Sequence, residues 1–178
     1  EVYQDLEKFV NKNWDKLKNC KTTKEFLWKL GELSPSDCIL KRCYEKKVPI
    51  FCPSLSDSGI GLIVWGKIAN NDNIQVGMFD DLKEILDIAW QSKKNGVIYL
   101  GGGVPKNYIQ QALQLANDAY LGVQITTSQE SFGGSSGASL REGISWQKMK
   151  ENAKFVDLRC DVSIALPIIH SALMERLN

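Results

Sequence analysis

The alternation of strand-like and helix-like segments after residue 48 is the feature that most constrains the fold. Short apolar runs predict strands, and apolar positions three or four residues apart predict helices. A repeated β–α order favours an α/β fold with a mainly parallel, Rossmann-like sheet and helices on both faces. The pattern predicts strands at 49–52, 73–76, 96–100, 120–125 and 154–158. It predicts helices at 56–68, 80–91, 105–118, 140–150 and 162–176, with Ser56 capping the first.

The first 47 residues have a different pattern, with apolar positions at helical spacing throughout. They predict a helix over 2–18, a second helix from Thr23 and a third from Ser34-Pro35, with Ser34 as its cap. These helices carry no evident chemistry. We therefore expect a helical amino-terminal segment, 1–47, that packs on the α/β domain of 48–178.

Composition excludes several classes of protein. The 178 residues are 43% hydrophobic and 24% charged, and their net charge of +1 gives no reason to expect nucleic acid or an anionic membrane as partner. Five cysteines without a CxxC pair, and a single histidine, predict reduced thiols and neither a disulfide framework nor a metal site. No segment predicts a membrane span or a signal peptide, so we expect a cytoplasmic protein.

A loop of small residues, Thr126 to Lys148, lies between two predicted strands. Gly, Ser and Thr allow backbone N–H groups and hydroxyls to face a ligand. Ligands of parallel sheets bind at the carboxyl ends of the strands. Four residues follow predicted strands directly or one loop later, which predicts one shared site: Asp57, Gly102, Thr127 and Asp161.

Two of these positions have a structural interpretation as well as a functional one. The Gly101–Gly103 turn allows a pyrophosphate to approach a helix N-terminus, but it also suits a tight strand–helix corner. Only Gly101-x-Gly103 fits the dinucleotide fingerprint, because Lys106 stands where a third glycine is expected. Asp161 is placed to cap the last helix, and a cofactor contact is compatible with that role.

The end of the loop also leaves alternatives open. Ser139 and Glu142 have the spacing of a capping box, whereas Glu142 and Trp146, four residues apart, would suit an alkylammonium through charge and cation–π attraction. Lys148 fits an exposed lysine that complements a helix dipole. It also fits a reactive lysine, which must lose its proton and therefore needs desolvation or a neighbouring cation.

Several motifs in a fixed order resemble the deoxyhypusine synthase family. The main ones are Gly133-Gly134-x-Ser136-Gly137-Ala138 and Glu142-Gly143-Ile144-Ser145-Trp146-x-Lys148. Pro53–Ser58, Leu100–Gly103 and Asp161–Ser163 also match, so the resemblance covers about 48–167. It implies the carboxyl-terminal half of a family member, in the deoxyhypusine synthase-like branch.

The resemblance implies an NAD-dependent transferase that moves an aminobutyl group from a polyamine such as spermidine through an imine on Lys148. The acceptor is a protein lysine, in a translation factor precursor, or a free amine as in a homospermidine synthase-like reaction. The hydride is returned at the end, so NAD is not consumed. By resemblance, NAD contacts come from Asp57, Gly102, Thr127, Ser128, Asp161 and Val162. The amine site by resemblance comprises Asn107, Gly133, Gly134, Ser135, Glu142 and Trp146.

This chain departs from the family pattern in its amine site and in its length. Leu62 and Ser135 stand where synthases of the hypusine pathway have acids, and Asn107 stands where they have a histidine. The family's amino-terminal half is absent, and family sites form between subunits. The resemblance therefore implies a homo- or hetero-oligomer. The alternative is a non-catalytic subunit or fragment that requires a partner chain.

Overall fold

A computed structural model describes residues 2–177, which form two compact units. The first unit ends at Glu84 and the second begins at Ile85. This division falls inside the helix Phe79–Gln91, whereas the sequence pattern changes at residue 48. The assignment of 1–47 and 48–178 as separate parts stays a prediction. Among the described residues, no helix is long and apolar enough to cross a membrane.

The first unit is helical. Its elements are α1 (Val2–Lys12), α2 (Trp14–Leu17), α3 (Thr23–Leu33), α4 (Ile39–Lys46), α5 (Gly59–Ala69) and the start of α6 (Phe79–Gln91). Apolar residues that recur at helical spacing in α1 to α3 meet in one core. Its most deeply buried members are Val10, Leu17, Phe26 and Leu30.

The predicted helix starts in this unit need correction. Ser34 does not cap a third helix: it ends α3 in an extended conformation, which the following Pro35 favours, and α4 begins at Ile39. The cap of α3 is Thr22, whose hydroxyl accepts the Glu25 N–H at 3.1 Å. The cap of α5 is Ser58 and not Ser56. The helix predicted over 2–18 is interrupted at residue 13.

The predicted strands at 49–52 and 73–76 are wrong. Both segments lack regular secondary structure, and the isolated bridge nearest to them joins Thr22 to Gly77. Their apolar side chains pack against the helical core, among them Ile50 and Val76. A short apolar run predicts burial, but it does not specify whether a strand or a helix provides the partner surface.

The second unit contains the parallel sheet, which confirms the predicted α/β class. Its strands β1 (Asn95–Leu100), β2 (Ala119–Thr126) and β3 (Met149–Arg159) pair in that order. The helices are α7 (Val104–Leu115), α8 (Glu142–Ser145) and α9 (Val162–Leu177). Leu113 of α7 packs with Ala119 and Met149 in the core of this unit.

Strand register sorts the side chains of the sheet between its two faces. Tyr99, Gln124 and Asp157 are partners across the three strands and therefore form one row on one face. Gln124 is fully buried there and Tyr99 nearly so. The next row along the strands includes Ile98 and Val156, which are 68% and 61% exposed, so the opposite face is partly uncovered in the described residues.

The helix predicted over 140–150 is also wrong. Only Glu142–Ser145 is helical, because Gln147 adopts a left-handed φ of 56° and turns the chain into β3. Two hydrogen bonds hold the backbone of Lys148 in place. Its N–H donates to the Gly143 carbonyl at 2.9 Å, and its carbonyl accepts the Ala119 N–H at 3.1 Å. The capping box is not formed, since no side chain caps α8.

Candidate functional site

The Gly101–Gly103 turn joins the carboxyl end of β1 to α7. The Gly101 N–H extends the sheet by donating to the Ile125 carbonyl at 2.8 Å. A Cβ added at Gly102 would lie 2.6 Å from the Ser136 Cα, and the Gly103 N–H donates to the Ser136 Oγ at 2.8 Å. One side of the turn is thus closed by the loop that follows β2.

The other side of the turn is open. Gly101 and Gly103 have positive φ angles of 87° and 73°, and a Cβ at either position would meet no atom within 4 Å. The 12-residue helix α7 begins directly after Gly103. Backbone N–H groups at such a helix start attract anions, so the turn fits the phosphates of a dinucleotide such as NAD on its outer side.

Thr127 and Ser128 follow the carboxyl end of β2, next to this turn. Arg159, at the end of β3, fixes their loop: its guanidinium donates to the carbonyls of Ser128 and Gly137, the latter at 2.9 Å. Thr127 and Arg159 line a depression of about 620 Å³, together with Gln129, Glu130, Ser131 and Cys160. The structure therefore places the predicted cofactor residues Gly102, Thr127 and Ser128 on neighbouring strand ends.

Asp161 and Val162 follow β3 at the same edge of the sheet. The Asp161 carboxylate accepts the N–H and the hydroxyl of Ser163, at 2.8 and 2.6 Å, and these bonds lower the pKa of Asp161. The capping role expected from the sequence is thus present, and the cofactor contact stays a prediction. Asp57 is exposed in a turn of the first unit, and no strand precedes it within 2–56.

A second cavity, of about 280 Å³, brings together most of the residues predicted for amine binding and catalysis. Lys148 lines it together with Glu142 and Trp146, and the Lys148 Nζ lies 6.0 Å from the centre of the Trp146 ring. The remaining lining residues are Gln110, Gly134, Ser135, Ala138, Ser139 and Gly143. Neither Asn107 nor Gly133, both predicted for this site, is among them.

A buried polar cluster supports the wall of this cavity. Lys106, which is 2% exposed, donates to the Ser135 carbonyl at 2.6 Å and to the Ala138 carbonyl at 2.9 Å. Gln124 donates to the same Ala138 carbonyl at 3.0 Å, and the Asp157 carboxylate accepts the Leu140 N–H at 3.2 Å. Burial lowers the pKa of Lys106, while Asp157 partly compensates by favouring its charged form.

The sequence alone did not identify this cluster or Arg159. Two signals were present. Gln124 is a long polar residue in the middle of a buried strand, and Lys106 replaces a glycine of the dinucleotide fingerprint. Buried polar groups are normally hydrogen-bonded, so both positions indicated a polar network, but neither named its partners.

A parallel α/β unit with a glycine turn at its carboxyl edge belongs to the class of folds that bind ligands at the strand ends. The family model "Deoxyhypusine synthase" matches residues 1–173, and the chain belongs to that family.

Archaeal relatives agree with this assignment. The chain is 40% identical over 179 residues to "Probable deoxyhypusine synthase 1" of Archaeoglobus fulgidus, covering 99% of this chain and 58% of the relative. It is 37% identical over 179 residues to "Probable deoxyhypusine synthase 1" of Methanosarcina acetivorans, covering 99% and 56%. The chain thus spans a little over half the length of these relatives.

A solved structure supports the fold. The crystal structure of a "putative deoxyhypusine synthase" from Entamoeba histolytica superposes with a TM-score of 0.67 at 23% identity. The superposition covers 95% of this chain and 53% of that chain.

Proposed function

We propose that this chain takes part in NAD-dependent transfer of an aminobutyl or related aminoalkyl group from a polyamine such as spermidine. The reacting group is the Lys148 amine, and the acceptor is a protein lysine, as in deoxyhypusine synthesis on a translation factor precursor. The observation that carries the proposal is the cavity in which Lys148, Trp146 and Glu142 meet.

The cavity suits an alkylammonium. The Glu142 carboxylate would pair with a cationic nitrogen, and the Trp146 ring would attract it through its π face. Gln110 and the Ser135 and Ser139 positions line the remaining wall with polar groups. A donor amine held in this way presents its methylene chain to Lys148.

The glycine turn, Thr127, Ser128, Asp161 and Val162 would hold NAD at the carboxyl edge of the sheet. When bound, NAD supplies a hydride acceptor for oxidation of the donor amine and later returns the hydride. Asp57 of the first unit is assigned to the cofactor by family resemblance alone.

Lys148 has to be neutral when it reacts. Its Nζ attacks the carbon of the oxidised donor, which is an imine, and a bond forms between that carbon and Nζ. The bond from the same carbon to the departing amine breaks, the two protons of Nζ pass to that amine as it leaves, and an imine between Nζ and the donor carbon remains. The acceptor amine then displaces Lys148 by the same exchange, and reduction of the new imine gives a secondary amine.

We also propose that a second polypeptide completes the site. The chain covers a little over half of its archaeal relatives, and the Lys148 backbone is fixed at the amino end of β2 while Thr127 follows its carboxyl end. The reactive lysine and the cofactor residues thus line separate cavities of one unit. A homo- or hetero-oligomer in the cytoplasm would bring such cavities together.

Borohydride trapping tests the reaction. The protein is combined with a polypeptide that supplies the other half of the family's length, incubated with NAD and spermidine, putrescine or agmatine, reduced, and analysed by mass spectrometry. We expect an aminoalkyl adduct on Lys148, loss of the adduct in Lys148→Arg, and an unchanged adduct in Lys150→Arg, a matched control on β3. If a preparation that binds NAD gives no adduct on Lys148 with any amine, the chain is a non-catalytic subunit.

Replacement of Glu142 by Gln tests the amine cavity. The variant keeps the shape of the side chain but removes its charge, so the amine concentration for half-maximal trapping should rise about tenfold. The amount of adduct at saturating amine should change little, because Lys148 is intact. An unchanged concentration dependence would place the ammonium elsewhere.

The solution mass of the purified chain, measured with an NAD titration, tests the partner requirement. We expect weak NAD binding by the isolated chain and tight binding when a polypeptide with the other half of the family's length is added. A monomer that binds NAD tightly by itself contradicts this requirement.

A further inference from the structure

We infer that Lys106 is a positioning residue: its buried ammonium group holds the Ser135–Ala138 wall of the amine cavity in shape. The inference rests on the proposed function only in naming that cavity as the amine site. The contacts that carry it involve a lysine to which the proposed reaction gives no role.

The Lys106 Nζ joins two elements that are distant in sequence. It belongs to the first turn of α7, yet it donates to two carbonyls of the loop after β2, at 2.6 and 2.9 Å. Ser135 and Ala138, the residues that own these carbonyls, both line the cavity. Because both carbonyls point to the Nζ, the conformation of this wall depends on Lys106.

The position of Lys106 is energetically unfavourable for a lysine, which indicates that the residue has a specific role. Burial of an ammonium group costs free energy, and a cation in the first turn opposes the helix dipole. Local groups compensate only in part: Asp157 and Glu142 favour the charged form, Lys148 and Arg159 oppose it, and burial keeps the pKa of Lys106 lowered. The Tyr99 ring centre lies 5.8 Å from the Nζ. The two loop carbonyls accept hydrogen bonds from two of its three N–H groups, so the stability of the wall is coupled to this charge.

Lys106 does not fit the role of the reacting amine. Its side chain is buried beneath the wall and does not line the cavity, whereas Lys148 does. Attack on a donor carbon would also require Lys106 to give up its bonds to both carbonyls. The two lysines therefore have different roles, one shaping the cavity and the other facing it.

Hydrogen exchange of Lys106→Met is the first test, with Lys154→Met, at an exposed position of β3, as the matched control. Lys106→Met keeps an unbranched side chain, one heavy atom shorter, and removes its donors. We expect faster exchange at Gly133, Leu140 and Glu142, little change in the amides of β2, and wild-type behaviour of the control. Lys106→Arg keeps the charge and should restore much of the protection. Unchanged exchange in 133–142 of folded Lys106→Met overturns the inference.

Borohydride trapping in the same variant separates positioning from chemistry. We expect the amine concentration for half-maximal adduct formation to rise about tenfold or more, because charged hydrogen bonds that shape the wall are lost. The adduct at saturating amine should still form on Lys148. An adduct on Lys106 in the wild-type protein overturns the inference.

Acetylation of the wild-type chain covers the case in which Lys106→Met does not fold. Brief treatment with acetic anhydride should modify Lys150 and Lys148 well before Lys106. Modification of Lys106 at the rate of Lys150 overturns the inference. Acetylation and hydrogen exchange require neither NAD nor amine. They therefore test the role of Lys106 even if the protein does not catalyse the proposed transfer reaction.

Discussion

Replacement of Gly102 by Ala separates two reasons for a glycine in the turn after β1. If glycine is needed only for a cofactor, the substitution has no effect on the free chain. In the structure, however, the added Cβ would lie 2.6 Å from the Ser136 Cα and 2.7 Å from its Cβ. Gly102 is therefore already required by the loop, and the substitution should destabilise the protein without any cofactor.

The size of the effect follows from two opposing contributions. Overpacking against backbone typically costs about 1–3 kcal/mol. Replacing glycine by alanine stabilises by about 0.4–1 kcal/mol through the unfolded chain, since Gly102 does not have a positive φ. At the midpoints of these two ranges the net loss is about 1.3 kcal/mol, and the Gly103–Ser136 hydrogen bond should also weaken.

The measurement is urea unfolding without NAD, followed through hydrogen exchange of β2 amides so that the second unit is observed directly. Gly96→Ala in β1 is the matched control, because its Cβ would lie 3.6 Å from the Leu121 Cβ, an ordinary contact. The control should be neutral or slightly stabilised. If Gly102→Ala is as stable as Gly96→Ala, the packing argument is refuted.

Three further substitutions address other contacts. Thr22→Ala removes the cap of α3 and should cost about 1 kcal/mol of unfolding free energy in urea. Arg159→Met should speed proteolysis within 127–137 with little loss of sheet structure, since its guanidinium holds that loop. The Ser163 bonds lower the pKa of Asp161 below its ordinary 3.8, so their stabilisation is present above that value and is lost as pH falls through the folded pKa. Ser163→Ala should flatten this acid dependence in a pH titration of unfolding.

The sequence predicted those elements whose pattern needs no knowledge of their partners. Strands β1 and β2 and helices α6 and α7 were expected within a few residues of their actual limits. The strand predictions for 49–52 and 73–76 were wrong because short apolar runs also pack on helices. The helix prediction for 140–150 was wrong because Gln147 has a left-handed backbone conformation. The spacing of apolar residues does not indicate such a conformation.

The candidate site shows the same division. Lys148, Trp146 and Glu142 were found through an ordered motif, and the structure places them in one cavity. Lys106 and Gln124 were missed, because their partners are carbonyl oxygens that come within reach only after the loop folds over the sheet. A pattern of residue types contains no information about backbone acceptors.

Almost the entire wall of the cavity proposed for the amine is a single stretch of chain, 134–148, and Gln110 of α7 is the exception. Because one contiguous segment forms this wall, most of the cavity lining can be replaced by replacing that segment. A chimera that exchanged this segment as one block would change the wall of the proposed donor pocket while the strands of the sheet stayed as they are. The recipient should keep Lys106, Gln124 and Asp157, since these three side chains bind backbone groups of the wall from beneath, and it should also keep Arg159, which binds the Gly137 carbonyl.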